Sequence, residues 1–104
     1  MPAAASLPAP RLRNADALAG HGQGELRRLA LEVAQAGLTA CDAGAATLDA
    51  VELTDDGIRV GAEEFALSER SRVVVVGAGK ATFAVATALE AKLGDRIDAG
   101  LISV

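Results

Sequence analysis

The chain has 104 residues, the size of one small domain, and its hydrophobic fraction of 51% leans on 24 alanines, with two Phe and no Trp or Tyr. A net charge of -4, with the basic residues scattered, excludes the basic stripe that a nucleic-acid surface needs. No apolar run approaches the ~20 residues of a membrane-spanning helix, so neither nucleic acid nor membrane is expected as a partner.

The start, MPAAASLPAP, lacks the basic region and apolar core of a secretory signal. Cys41 is the single cysteine, which rules out an internal disulfide and fits a reducing, cytoplasmic compartment. Residues 1–24 are rich in Ala, Pro and Gly without helical or strand period, and read as a disordered tail ahead of an ordered region at 25–104.

From Glu25 the pattern changes. Leu26, Leu29, Ala30, Val33, Ala34, Gly37, Leu38 and Cys41 recur at steps of three and four, which predicts an amphipathic helix over Glu25–Cys41. Arg27, Arg28, Glu32 and Gln35 fall mainly on its other, solvated face, and Cys41 is expected as a buried small hydrophobe. Gly44 is expected to end the helix in a left-handed turn, with one short further turn at Ala45–Ala50. Val51–Leu53 and Ile58–Val60 alternate on either side of Asp56-Gly57, the signature of a hairpin, and Phe65–Leu67 is a candidate third strand. A lone hairpin is barely stable in water, so these strands are expected to decorate the edge of a larger sheet.

Val73–Val76 is apolar at every position, as in a central parallel strand covered on both faces. Gly77-Ala78-Gly79-Lys80 follows, then a predicted helix from Lys80 to Leu93 with its stripe on Ala81, Ala84, Val85, Ala88, Leu89 and Leu93. Gly94 closes that helix, Lys92 complements its dipole, and Gly100–Val104 is the next strand. Val73–Val104 is thus one complete βαβ unit. The fold class is α/β: a partial Rossmann-like, doubly wound parallel sheet with a preceding helix and a small β-hairpin. Two parallel strands leave apolar faces uncovered, so self-association is also expected.

The glycine turn carries the chemistry. Gly77 and Gly79 are expected to permit positive φ and, lacking Cβ, to let a ligand approach the backbone. The first N–H groups of the following helix lack internal partners and lie at the positive end of its dipole, which suits phosphate or carboxylate. Lys80 adds a mobile charge, in a chain with eight arginines and two lysines. Gly77, Ala78, Gly79, Lys80 and Ala81 are therefore the candidate substrate- or phosphate-binding residues, and no metal-ligating set is picked out. Turn geometry alone would also explain the glycines, and that reading stays open. Neither named glycine motif is satisfied. The dinucleotide fingerprint wants Gly where Thr82 stands, and a Walker A loop wants Gly at Val74 and Ser or Thr at Ala81.

The stretch VVVVGAGKATFAVATALEAKLGDRI, beginning at Val73, resembles the N-terminal domain of the glycerate 2-kinase (MOFRL) family, which carries a strand, Gly-Ala-Gly-Lys-Ala and an Ala-rich helix ending in Leu-Gly-Asp-Arg. LRRLALEVAQAGLTACD and DGIRVGAEEFAL extend the likeness over roughly Glu25–Val104, with Ala43 standing where the family often has Pro. The resemblance implies ATP-dependent phosphorylation of glycerate or a related small hydroxy acid with Mg²⁺, in a cleft between a Rossmann-like first domain and a second domain. It implies that Lys80 faces that cleft as the catalytic lysine, pairing with the substrate carboxylate or the transferred phosphoryl group. On this reading residues 25–104 are an incomplete first domain, inactive alone. A nucleotide- or dinucleotide-binding Rossmann-like domain and a non-catalytic truncated product are the alternatives.

Overall fold

A computed structural model describes residues 9–104, which fall into two units, residues 9–42 and residues 43–104. Each is built locally.

In the first unit a short helix, α1 (Ala15–Ala19), precedes the long helix α2 (Gly24–Ala40) and packs on it. The α1 helix lies inside the stretch expected as a tail; residues 1–8 of that stretch lie outside the described residues. Three of its five residues are alanine, the best helix former, and Ala19 is buried. Arg27 Nη1 donates to the Leu18 carbonyl at 3.2 Å, so this arginine is not simply solvated. None of the described residues of α2 is buried, and its stripe at Leu26, Leu29 and Val33 is exposed. Cys41 is exposed too, which corrects the expectation of a buried thiol. The reason is that the preceding segment lies along the Arg28, Leu31 and Gln35 side of α2 and leaves the stripe uncovered within this unit.

The second unit opens with α3 (Ala43–Ala50), two turns where one was expected. Gly44 lies inside it rather than in a left-handed turn. Strands β1 (Val51–Leu53), β2 (Gly57–Val60) and β3 (Glu63–Ala66) form an antiparallel sheet in the order β1-β2-β3. The register pairs Glu52 with Arg59 and Arg59 with Glu64 on one face, and Leu53 with Ile58 and Ile58 with Phe65 on the other. At the hairpin the Thr54 N–H donates to the Gly57 carbonyl at 2.8 Å and the Gly57 N–H to Thr54 Oγ1 at 3.0 Å. This sheet stands apart from the parallel one instead of decorating its edge. Helices α3 and α4 (Thr82–Leu93) both pack on β1 and bury Val51, and Lys92 Nζ meets Glu52 Oε1 at 2.8 Å. Those contacts supply the support that a hairpin lacks in water.

Strands β4 (Val74–Ala78) and β5 (Ala99–Ser103) pair in parallel, Val74 opposite Ala99 through Ala78 opposite Ser103, with α4 between them in sequence. The chain is therefore a mixed α/β protein with one βαβ unit and no closed barrel. Helix α4 buries Ala88 and Leu93 and packs on α3, β4 and β5; Gly94 ends it at φ 51°. The valine run is covered on one face only. Val75 and Ile102 are half-buried, whereas Val76 and Leu101 are each 76% exposed. At the amino end of the pair, Asp98 Oδ2 accepts the Val73 N–H at 2.6 Å, and Arg96 donates to the Ser68 and Ser71 carbonyls at 3.2 and 3.1 Å. Among the described residues no helix is long and apolar enough to cross a membrane.

Candidate functional site

The glycine turn leaves the carboxyl end of β4. Ala78 is the last strand residue, Gly79 takes φ 115°, Lys80 and Ala81 complete the turn, and α4 begins at Thr82. Such a φ is the region glycine alone enters freely, which accounts for Gly79. The Gly79 N–H donates to the Ser103 carbonyl at 3.2 Å and ties the turn to the end of β5. The Thr82 N–H donates back to the Gly79 carbonyl at 3.2 Å.

Gly77 works differently from the expectation. It is a strand residue without positive φ, and its requirement is space: a Cβ there would stand 2.8 Å from Thr82 Cγ2. Glycine at 77 lets the first residue of α4 settle onto β4. Lys80 lies in the turn, one step before the cap rather than in the helix, and is exposed. It makes no ion pair among the described residues.

The helix start has open donor capacity. Its cap position is Ala81, no side chain caps it, and its first turn has no acidic residue. Ser, Thr, Asp or Asn at the cap would satisfy one of these donors, worth about 1 kcal/mol. The Val85 N–H reaches the Ala81 carbonyl, while the Phe83 and Ala84 N–H groups have no backbone acceptor among the described residues. Donors, dipole and the Lys80 charge all favour an anion.

Gly77, Ala78 and Ala81 line a cleft of about 210 Å³ between the parallel strands and α4, walled by Val75, Val85 and Ile102. Gly79 and Lys80 are outside that lining, on the exposed rim. Two residues at the site escaped the sequence reading. Thr82 appears there only as a mismatch to the glycine fingerprint, yet its Oγ1 lies 3.9 Å from where a Cβ on Gly79 would be, so the hydroxyl faces the turn. Ser103 sits opposite Ala78 at the same end of the sheet, a placement visible only from the parallel register.

Glu52 has its carboxyl held below the usual carboxylate range, first by the hydrogen bond from Lys92 and then by that lysine's charge. It belongs to the far end of α4, about 15 Å along the helix from the turn at 1.5 Å per residue. Among the described residues no three His, Cys, Asp or Glu side chains gather as a metal centre.

A parallel strand, a tight glycine turn and a helix with an open amino end define this as an α/β protein whose candidate site lies at the carboxyl end of its parallel strands. The chain belongs to the family described as Domain of unknown function (DUF4147), whose model matches residues 29–104. Neither the curated proteins nor the solved structures provided a match.

Proposed function

We propose that this chain forms the first part of an ATP-dependent glycerate kinase, in which Gly77–Ala81 hold a phosphate or the substrate carboxylate. The observation that carries the reading is the uncapped amino end of α4 beside exposed Lys80, where both parallel strands end. Ligands of open α/β sheets gather at that end. The resemblance of the Gly77–Ala81 turn and its flanks to the glycerate 2-kinases supplies the substrate class.

In the reaction, a hydroxyl oxygen of glycerate or a related hydroxy acid bonds to the γ-phosphorus of ATP. The bond from that phosphorus to the β,γ-bridging oxygen breaks, ADP leaves, and the hydroxyl proton is released. Such transfer depends on positioning and on balancing charge. Lys80 supplies one positive charge, and the free N–H groups of α4 supply fixed donors. Mg²⁺, which the resemblance also implies, finds no carboxylate set at this turn among the described residues.

The test is glycerate-dependent ADP formation by the complete polypeptide carrying this chain, with Lys80→Ala beside the parent. Activity in the parent and a fall in kcat/KM on the order of 10²-fold in the variant support the reading. ATP binding without glycerate-dependent turnover would replace it with a nucleotide-binding module, and an unchanged kcat/KM would remove Lys80 from the mechanism.

A further inference from the structure

The polar side of α2, which its sequence pattern marks as a solvated face, is the side that engages the rest of its unit. Gln35 uses both ends of its amide on the backbone of the preceding segment. Its Oε1 accepts the Leu12 N–H at 3.0 Å, and its Nε2 donates to the Pro10 carbonyl at 2.9 Å, across 23 and 25 residues of sequence. Nε2 also lies 3.3 Å from Thr39 Oγ1, one helical turn on, which orients the amide. Further along, Arg27 holds the Leu18 carbonyl. Between these two fixings an open cleft of about 260 Å³ lies where the segment meets α2, lined by Leu12, Ala15 and Ala19 on one side and Arg28, Leu31 and Gln35 on the other.

We propose that residues 10–18 are a detachable strap on α2, latched at its amino end by Gln35. Two features make it detachable. The strap is held through its main chain and not its polar side chains, by the two hydrogen bonds to Gln35 at its amino end and by the one from Arg27 to the Leu18 carbonyl. The seam between the strap and α2 is left open by that cleft, and Leu12 is only half-buried. Segments held by few buried contacts open at free energies well below global unfolding. Release of the strap uncovers the Leu31–Gln35 side of α2.

The experiment is amide exchange at Leu12 in the full chain, with trypsin cleavage after Arg11 and Arg13 as a second readout. Gln35→Leu removes both bonds and keeps a good helix former. Leu12 exchange should rise on the order of tenfold or more, with both cleavages faster. Exchange at Val33, in the middle of α2, should stay unchanged. If Gln35→Leu loses helical circular dichroism, Gln35→Glu takes its place. It withdraws the donor to Pro10 and should still speed cleavage. Leu12 exchange and cleavage equal to the parent's in the folded variant would overturn the latch. A rise shared equally by Val33 would also overturn it, because the segment would then open only with the whole of its unit.

Discussion

Replacing Gly77 by alanine separates the two roles that glycine plays in the turn. The new Cβ would stand 2.8 Å from Thr82 Cγ2, against roughly 3.5 Å or more for an ordinary carbon contact. Its other neighbours, Thr82 Oγ1 at 3.7 Å and Ile102 Cγ2 at 3.8 Å, are comfortable. One methyl group therefore carries the cost. Forcing it aside should cost about 1–3 kcal/mol, as overpacking does. The stiffer unfolded chain returns about 0.4–1 kcal/mol, because Gly77 needs no positive φ. The net expectation is a loss of about 1–2 kcal/mol. Thr82→Ser deletes Cγ2, so in that background Gly77→Ala should be neutral or slightly stabilising. Urea unfolding of the four proteins closes the cycle, and the coupling, which is the relieved overpacking, should be about 1–3 kcal/mol. An equal cost in both backgrounds would refute the packing argument.

Gly79→Ala should also destabilise, by about 1–3 kcal/mol, but through its φ of 115° rather than through collision, since the nearest atom to its Cβ is Thr82 Oγ1 at 3.9 Å. Thr82→Ser should therefore leave this loss unrelieved, as measured by the same unfolding curves. The Glu52–Lys92 pair predicts a pH dependence. Glu52 is depressed in the folded chain, so its contribution is present above the ordinary carboxylate range and is lost as pH falls through the folded pKa. Melting temperature followed downward in pH should show a shallower acid limb in Glu52→Gln, and an identical limb would count against the pair.

The βαβ unit was legible because its signals are local. An apolar run, two close glycines and a three-four alanine stripe fix β4, the turn and α4 without reference to the rest of the chain. What each glycine does was not legible. Positive φ at Gly79 and close packing at Gly77 place the same letter in the sequence, and only the position of Thr82 separates them. The valine run suggested burial on both faces, but burial depends on neighbouring layers, and among the described residues α4 covers the Val75 side while Val74 and Val76 stay exposed. At α1 the limit is length, because five residues hold too few repeats for a period to register. The exposed stripe of α2 shows the converse: periodicity marks a helix's apolar face without saying what meets it. Ser103 came to the site through the parallel register, for which the sequence carries no local mark, whereas Thr82 directly follows the turn and only the placement of its side chain was hidden.

Whether the turn at Gly77–Ala81 holds an anion can be read from titration of the chain with inorganic phosphate under amide-resolved NMR. An anion held there should give saturable shifts at Gly79, Lys80, Ala81 and Phe83, weakened in Lys80→Ala. Amides of the turn that stay in place, or that move no more than those of β2 and β3, would contradict it and leave the glycines with turn geometry alone.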